Sequence, residues 1–503
     1  MLVFVRSYFL INKLTKLIFK NYDKIGKNAD INRRLIMKDF LKGKKMTATA
    51  LAAAIFALAG LTACGGTTSG NSGGNNGEVT TITVGYFDGA YGDIPWKSWE
   101  ALYNEAHPDE KIDLGDPEGD RAYNSAIENL LSTGVVPDIM VSPMTWRKYA
   151  SKNWLEPLGD VFAADFGDGR TIEDALNDEI KDNLKFNGQY YAVPYSEYMT
   201  GIAVNKGFFD EHGWKLPETM ADMLDIIDKI SKLPENNDND SENDVAAFAW
   251  SGVEAQHYWN YVMNTWWANY GGIDEIKKFK KMESPEVYLS AGKEKAVDAL
   301  LTLIGGNKNP KNCAAGVLGM DKLESQLLFT EGKALMMPNA SWLEVEMIKN
   351  TPEGFEMVLI APPTIEGGTN EKNLYGHVDE WLIIPEAAEN KDAAKKFVSF
   401  MFSEKGLIDF FEKTSTTSVF KVDYTKVNTE SLTEFSKSVL SLRSSYNIFY
   451  AESSSPLMYM GLASFWQSKM VTEMVTQGQT AKQIIQYDYE QVAKDWEGWK
   501  KQI

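Results

Sequence analysis

Short β-branched runs alternate with amphipathic helical stretches along most of this chain, and that alternation restricts it to the α/β class. Residues 80–86 alternate apolar and polar side chains with a period of two, which is typical of a strand with one buried face. Residues 96–106 and 121–131 have the apolar spacing of helices, and residues 135–141 form the next β-branched run. The short loops between these segments predict a lobe built on a mostly parallel sheet.

The same alternation recurs later in the chain, so a single lobe does not account for it. Further strand-like runs lie at 189–194, 201–204, 334–337, 357–360 and 381–384, and helical spacing dominates from residue 432. With 503 residues, the chain is too long for one ordinary hydrophobic core. We therefore expect two α/β lobes.

The ionisable residues are unevenly distributed, with a basic start and an acidic body. Residues 1–63 carry a net charge of +9, whereas the chain after Cys64 carries a net charge of −28. A body this acidic repels the phosphates of nucleic acids and of anionic lipid head groups. We expect a solvated acidic surface and no nucleic acid among the partners.

The basic start ends in the pattern of a secretion signal. Four lysines between positions 38 and 45 precede an apolar run at 47–60, which leads directly into Leu61-Thr62-Ala63-Cys64. The apolar run is shorter than the roughly 20 residues that a membrane-spanning helix needs. The last four residues resemble the lipobox of bacterial lipoproteins. That resemblance implies cleavage before Cys64 and acyl chains, such as palmitate, that anchor Cys64 to the membrane.

The segments around this signal have separate expected roles. Residues 37–63 form a complete signal peptide, so we expect translation to start at Met37 and residues 1–36 to be a mis-assigned extension; a long basic leader is the alternative. Residues 64–77 are rich in glycine, serine and asparagine and predict a flexible tether on the outer face of the cell membrane. The second cysteine, Cys313, has no intrachain partner once Cys64 is acylated, and we expect it to be a buried small side chain.

Several short motifs follow one another in a fixed order through the body of the chain. They lie at 134–139, 187–195, 204–209, 213–219 and 329–336. Together they resemble the signatures of family 1 extracellular solute-binding proteins, which include the maltodextrin-binding proteins of ABC importers. The resemblance implies a two-lobed clamshell of the type II periplasmic-binding-protein kind. A sugar or oligosaccharide would bind between the lobes, and the importer's transmembrane subunits would recognise the closed form.

The resemblance also implies how the chain is divided between the lobes. Lobe one would contain residues 78–195 and 364–416, and lobe two would contain residues 196–363 and 417–503. The hinge crossings would lie near 193–198, 361–364 and 414–418.

Sugar rings present apolar C–H faces and a rim of hydroxyl groups, so a sugar site needs aromatic platforms together with polar side chains. The chain has 14 tryptophans and 22 tyrosines from which to build one. Motif positions, with the place of Trp381 before a strand, suggest eight ligand-binding residues: Asp88, Thr145, Trp146, Glu197, Tyr198, Trp342, Trp381 and Trp466. Core packing stays the alternative for Trp342 and Trp466, and a turn or helix cap stays the alternative for Asp88.

Other parts of the sequence suggest structural roles. Trp259, Trp266 and Trp267 have helical spacing and are expected in the core. The acidic stretch 236–244 has oxygen ligands at alternate positions like a calcium loop. It has Ser241 where such loops have glycine, and it lacks the bidentate glutamate. We therefore expect a solvated acidic loop, with no metal and no cofactor.

Three other functions remain open at this stage. One is a binding protein of the same fold for a non-sugar solute, such as an amino acid, a peptide or a polyamine. A second is a lipoprotein glycoside hydrolase, which would need two carboxyl groups flanking the scissile bond. A third is a surface adhesion protein. We expect no catalytic residues, because no hydrolase motif is evident in the sequence.

Acylation of Cys64 can be tested directly. The mature protein should begin at Cys64 and carry the added mass of acyl chains, because the lipobox-like motif places the cleavage before this residue. Mass spectrometry of the N-terminal peptide from the native host measures both features. A mature N-terminus elsewhere, or an unmodified Cys64, would contradict the lipoprotein interpretation.

Overall fold

Strands and helices alternate through the chain as the sequence predicts. The computed structural model describes residues 79–501, apart from 89–90, 116–117, 143–144, 239, 254–257, 307–310, 370, 379 and 452–477. The strands are β1 Thr80–Gly85, β2 Phe87–Asp88, β3 Glu110–Asp113, β4 Glu118–Gly119, β5 Ile139–Ser142, β6 Lys185–Phe186, β7 Gln189–Tyr190, β8 Val193–Pro194, β9 Tyr198–Asn205, β10 Ala246–Phe248, β11 Ala334–Ala340, β12 Met357–Ile360, β13 Asn373–His377, β14 Trp381–Ile383 and β15 Asn447–Phe449.

The helices fill the intervals between these strands. They are α1 Ile94–Ala106, α2 Asp120–Thr133, α3 Trp146–Ser151, α4 Gly159–Ala163, α5 Ile172–Ala175, α6 Asp178–Leu184, α7 Lys206–Glu211, α8 Met220–Ser231, α9 Tyr258–Gly271, α10 Ile273–Lys281, α11 Ala291–Leu303, α12 Lys322–Thr330, α13 Leu343–Glu346, α14 Lys391–Met401, α15 Glu404–Thr414, α16 Glu434–Ser445 and α17 Ala481–Lys500. Within the described ranges, no helix is both long enough and apolar enough to cross a membrane.

The first sheet has the strand order β3-β1-β5-β14-β8. Strand β1 runs parallel to β3 and β5, whereas β14 runs antiparallel to β5 and β8. All four residues of β5 are buried, as expected for a central strand that is covered on both faces. The predicted strand at 135–141 begins later than expected, at Ile139. Pro137 explains the delay, because proline has no N–H to give to a sheet.

The second sheet has the order β10-β11-β9-β13-β15, with β12 also paired to β9. Strand β9 is antiparallel to β11, β12 and β13, and all eight of its residues are buried. The centre of this sheet is therefore antiparallel, which differs from the mostly parallel sheet predicted by the sequence. The difference arises because β9 enters directly from the first sheet rather than through a crossover helix within the second.

Consecutive strands in different sheets show where the chain crosses between the lobes. It crosses at residues 195–197, between β8 and β9, and again between the end of β13 and the start of β14. Helix α15 packs against α1 of lobe one, whereas α16 packs against β12 of lobe two, so the third crossing follows α15. Strand β13 lies in the second sheet, although the sequence-based division placed residues 364–416 in lobe one. We therefore propose the second crossing at 378–380 instead of 361–364.

Large aromatic side chains fill the core of lobe two. Trp259, Trp266 and Trp267 on α9 are at most 1% exposed, which confirms their predicted core position. The indole of Trp266 donates to the carbonyl oxygen of Pro363 at 2.7 Å. Cys313 is only partly buried, and it accepts a hydrogen bond from the indole of Trp250 at 3.3 Å. Desolvation around its sulfur raises the pKa of this thiol to about 12, so the thiol stays protonated at neutral pH.

A buried ion pair fastens the C-terminal helix α17 to lobe two. The ammonium of Lys293 on α11 lies 3.3 Å from the carboxylate of Asp488 on α17, and both side chains are at most 6% exposed. The same ammonium lies 4.5 Å from the ring centroid of Tyr288. Burial lowers the pKa of Lys293 to about 8, and it raises the pKa of Asp488. Burial disfavours the charged form of both side chains. Each charge is therefore stabilised by the opposite charge of its partner.

The variant Asp488→Asn should destabilise the protein by about 3–5 kcal/mol, because it leaves a buried ammonium without its counter-charge. Urea unfolding followed by circular dichroism measures the loss. The matched control is Glu497→Gln, which breaks the exposed pair with Lys500 on the same helix and should leave the unfolding midpoint unchanged. The double variant Lys293→Met/Asp488→Leu should recover most of the stability. An unchanged midpoint for Asp488→Asn would contradict this role of the pair.

Candidate functional site

The first crossing contains a buried carboxylate that is bonded to other residues near the hinge. Glu197 is fully buried, and it accepts hydrogen bonds from Thr417 at 2.9 Å and from the hydroxyl of Tyr450. Its carboxylate also lies 3.0 Å from the guanidinium nitrogen Nε of Arg443, and this charge raises the pKa of Arg443. Glu197 was predicted to contact the ligand. We now propose that it joins the first crossing to the third.

The second crossing carries another carboxylate, on which hydroxyl groups from both lobes converge. Glu380 accepts hydrogen bonds from Ser196 at 2.8 Å, from Tyr91 at 3.0 Å and from Tyr198. The hydroxyl oxygens of Tyr91 and Tyr198 are themselves 2.6 Å apart. Tyr91 precedes α1 in lobe one and Tyr198 begins β9 in lobe two, so this cluster links the lobes.

The two tyrosine hydroxyls in this cluster remain protonated at neutral pH. Burial is the main cause that raises the pKa of both Tyr91 and Tyr198 well above the usual value, and the negative charge of Glu380 raises them further. Both hydroxyls therefore keep the protons with which they donate to Glu380. These charge-assisted hydrogen bonds tie Tyr91 of lobe one and Tyr198 of lobe two to the same carboxylate.

Aromatic side chains form a continuous cluster on the lobe-two side of the crossings. We define the aromatic cluster as Tyr198, Tyr258, Tyr261, Trp342 and His377. The ring centroid of Trp342 lies 4.5 Å from Tyr198, 5.4 Å from Tyr258 and 5.9 Å from Tyr261. The rings of Tyr261 and His377 are 5.1 Å apart. Trp342, Tyr258 and His377 are buried, with 6%, 9% and 7% of their surface exposed, so the cluster is continuous with the core of lobe two.

Strand direction brings the aromatic cluster to the junction. Because β9 is antiparallel to β11 and β13, its first residues lie beside the last residues of both neighbours: Thr200 pairs with Ala340, and Tyr198 pairs with His377. Trp342 follows β11 by two residues. The start of β9 and the ends of β11 and β13 therefore present their side chains at the edge where the chain crosses between lobes.

Two tryptophans form the lobe-one counterpart. Trp381 begins β14 and pairs with Ser142, the last residue of β5, while Trp146 begins α3 shortly after β5. Their ring centroids lie 5.9 Å apart. The guanidinium carbon of Arg147 lies 4.3 Å from the ring centroid of Trp146. Both indoles thus lie at the sheet edge next to the second crossing.

Thus four of the eight sequence-predicted site residues meet in two pairs, Tyr198 with Trp342 and Trp146 with Trp381. Thr145 is partly buried next to Trp146 and contacts the hydroxyl of Tyr149 at 3.4 Å. Asp88 ends strand β2, which pairs with β4. Trp466 and Cys64 lie outside the described residues.

Sequence reasoning missed five residues of the site, namely Tyr91, Tyr258, Tyr261, His377 and Glu380. Tyr258 and Tyr261 lie on a helix that is buried along most of its length, so their spacing resembles ordinary core packing. An acidic residue directly before strand β14 was the available signal for Glu380. The other four residues could be assigned to the site only once the pairing of the strands was known.

Two cavities in the described part of the structure bear on the position of a ligand site. A cavity of about 10 Å³ lies beside Glu380 and is lined by Tyr91, Trp96 and Tyr195 among others. This volume is about that of one water-sized probe, so this cavity is too small for a sugar ring. A larger hollow of about 720 Å³ opens where β13 and β15 begin, at the opposite end of β13 from His377. Its described lining contains no aromatic side chain, so we place the candidate site at the junction.

The variant Glu197→Gln should lower stability by about 2 kcal/mol or more, because it removes the counter-charge of the largely buried Arg443. Urea unfolding provides the measurement. The affinity for a carbohydrate found by screening should stay within about twofold of the parent, since Glu197 faces hinge groups rather than the junction. Asp93→Asn, which breaks the exposed pair with Lys97, is the control. Normal stability combined with lost binding would restore the ligand-contacting role.

Comparison with known proteins finds sugar-binding proteins among those similar to this chain. The diacetylchitobiose binding protein NgcE of Streptomyces coelicolor is 25% identical over 259 residues, which are 51% of this chain and 52% of that protein. The multiple sugar-binding protein of Streptococcus mutans is 25% identical over 245 residues, which are 48% of this chain and 54% of that protein. The chain thus spans about half the length of the curated relatives that it matches.

The fold itself is shared with solved structures. An ABC substrate-binding protein of Listeria monocytogenes, in complex with cycloalternan, superposes with a TM-score of 0.61 at 16% identity, over 83% of this chain and 99% of that chain. This likeness supports the two-lobed architecture. The family model of bacterial extracellular solute-binding proteins matches residues 89–408, more than half of the chain, and the protein therefore belongs to that family.

Proposed function

We propose that this protein binds a neutral sugar or oligosaccharide between its two lobes and delivers it to the transmembrane subunits of an ABC importer. The observation that carries the proposal is the aromatic cluster at the junction, next to the Glu380 hydroxyl cluster. Aromatic faces stack on the C–H faces of sugar rings, while carboxylates and hydroxyls bind the sugar rim. Tyr198 joins the two kinds of group, because its ring lies 4.5 Å from that of Trp342 and its hydroxyl donates to Glu380.

The geometry favours binding through lobe closure. The aromatic cluster belongs to lobe two, the Trp146–Trp381 pair belongs to lobe one, and the crossing at 378–380 lies between them. A ligand that touches both sets of rings stabilises the closed arrangement of the lobes, because it gains contacts that the open form lacks. Closure would then be the signal that the importer recognises.

The relatives of the chain support the carbohydrate class. They describe binding of diacetylchitobiose and of multiple sugars, and the Listeria structure holds cycloalternan. We also propose that the protein acts without catalysis. Of the two buried carboxylates at the crossings, Glu197 is engaged by Arg443, Thr417 and Tyr450, which leaves it unsuited to the paired acid–base work of glycoside hydrolysis.

A lipid anchor completes the proposal. The lipobox-like motif at Cys64 and the tether at 64–77 would hold the binding body at the outer face of the cell membrane. In this arrangement the protein stays close to its importer while the lobes remain exposed to extracellular solutes.

The variant Trp342→Ala should weaken carbohydrate binding at least tenfold, because removing a central aromatic anchor commonly costs about 2 kcal/mol. Diacetylchitobiose, maltotriose, raffinose, xylotriose and spermidine form the thermal-shift screen, since a bound ligand raises the melting temperature. Calorimetry with the strongest sugar then measures affinity. Trp214→Ala is the control, because Trp214 packs on Phe208 and Phe209 beyond the far end of β9.

Two outcomes would contradict the proposal. If Trp342→Ala binds the sugar as the parent does, the junction is not the site. If no sugar raises the melting temperature at millimolar concentration while spermidine does, the protein is a binder of cationic solutes.

A further inference from the structure

Two indole N–H groups are buried at the lobe-one side of the junction. Among the described residues, the indole nitrogens Nε1 of Trp146 and of Trp381 are enclosed but make no hydrogen bond. Trp146 is fully buried and Trp381 is 6% exposed. Buried donors are almost always paired in native proteins, so each exception calls for a physical explanation.

The positions of these donors suggest that explanation. The two rings lie 5.9 Å apart, Trp381 at the start of β14 and Trp146 at the start of α3, beside the crossing where the lobes meet. A cluster of two such donors next to a hinge is better explained by a missing partner that enters with the ligand than by a packing defect. Resting on the proposed function, we infer that both indoles donate hydrogen bonds to an oxygen acceptor of the bound sugar.

The chemistry of the donors restricts the ligand class further. An indole N–H can only donate, so its partner must carry a lone pair, as a hydroxyl, ring or carbonyl oxygen does. A protonated amine has only donors and cannot accept a hydrogen bond from an indole N–H. The guanidinium of Arg147, over the ring of Trp146, adds a positive charge to this side of the site. The lobe-one subsite is therefore built for an acceptor oxygen and disfavours polyamines.

Spectroscopy on the intact protein tests this directly. With ¹⁵N-labelled tryptophan, the indole N–H signals of Trp146 and Trp381 should move downfield when the strongest sugar of the screen is added. The matched control is Trp259, whose buried indole likewise makes no hydrogen bond among the described residues and whose ring packs against Phe248 and Trp250. Its signal should stay in place. Unchanged signals for both Trp146 and Trp381 in the sugar complex would overturn the inference.

Affinity measurements supply the second test. Replacing Trp146 or Trp381 by benzothienylalanine, which keeps the ring shape but lacks the N–H, should weaken sugar binding roughly three- to tenfold. Trp259 replaced in the same way should bind normally. If all three variants bind equally well, the indole donors are not used, although the proposed function survives. If none of the sugars binds the parent protein, the proposed function and this inference fall together.

Discussion

The crossings between the two sheets are the constraint on which the rest of the structure depends. Each crossing buries a polar group, and a buried carboxylate is tolerated only where donors or cations surround it. Glu197 meets this requirement through Arg443 and Thr417, and Glu380 meets it through hydroxyls from both lobes. Their hydrogen bonds determine which residues face each other at the junction. The hinge and the candidate site are therefore parts of one polar network.

This network explains why the aromatic groups lie where they do. Strand β9 leaves the first crossing and runs antiparallel to its neighbours, so the ends of β11 and β13 return to the same edge. Trp342 and His377 reach the junction for that reason. On the other side, β14 leaves the second crossing with Trp381 as its first residue. A ligand held between the lobes would meet rings and hydrogen-bonding groups supplied by elements that are far apart in sequence.

The sequence was sufficient for the parts of this protein that follow from local pattern. Most predicted strands and helices agree with the observed bounds within a few residues, and the helical spacing of Trp259, Trp266 and Trp267 correctly indicated core positions. Motif order indicated the family. The pairing of Tyr198 with Trp342 was within reach, because both positions could be aligned to motifs. Glu197 was predicted to bind the ligand from its place beside a motif position, and the three partners behind its proposed hinge role lie far away in sequence.

By itself, then, the sequence determined the α/β class, the family, the aromatic inventory and the lipobox-like motif at Cys64. Only the tertiary structure decided that the second sheet is antiparallel at its centre and contains β13, and that Glu380 faces Tyr91. It also brought Trp146 and Trp381 together. The physical reason is the separation in sequence between the residues that make contact. Periodicity and turn residues report on contacts within a few positions, whereas strand pairing and buried polar networks depend on packing between segments that are hundreds of residues apart.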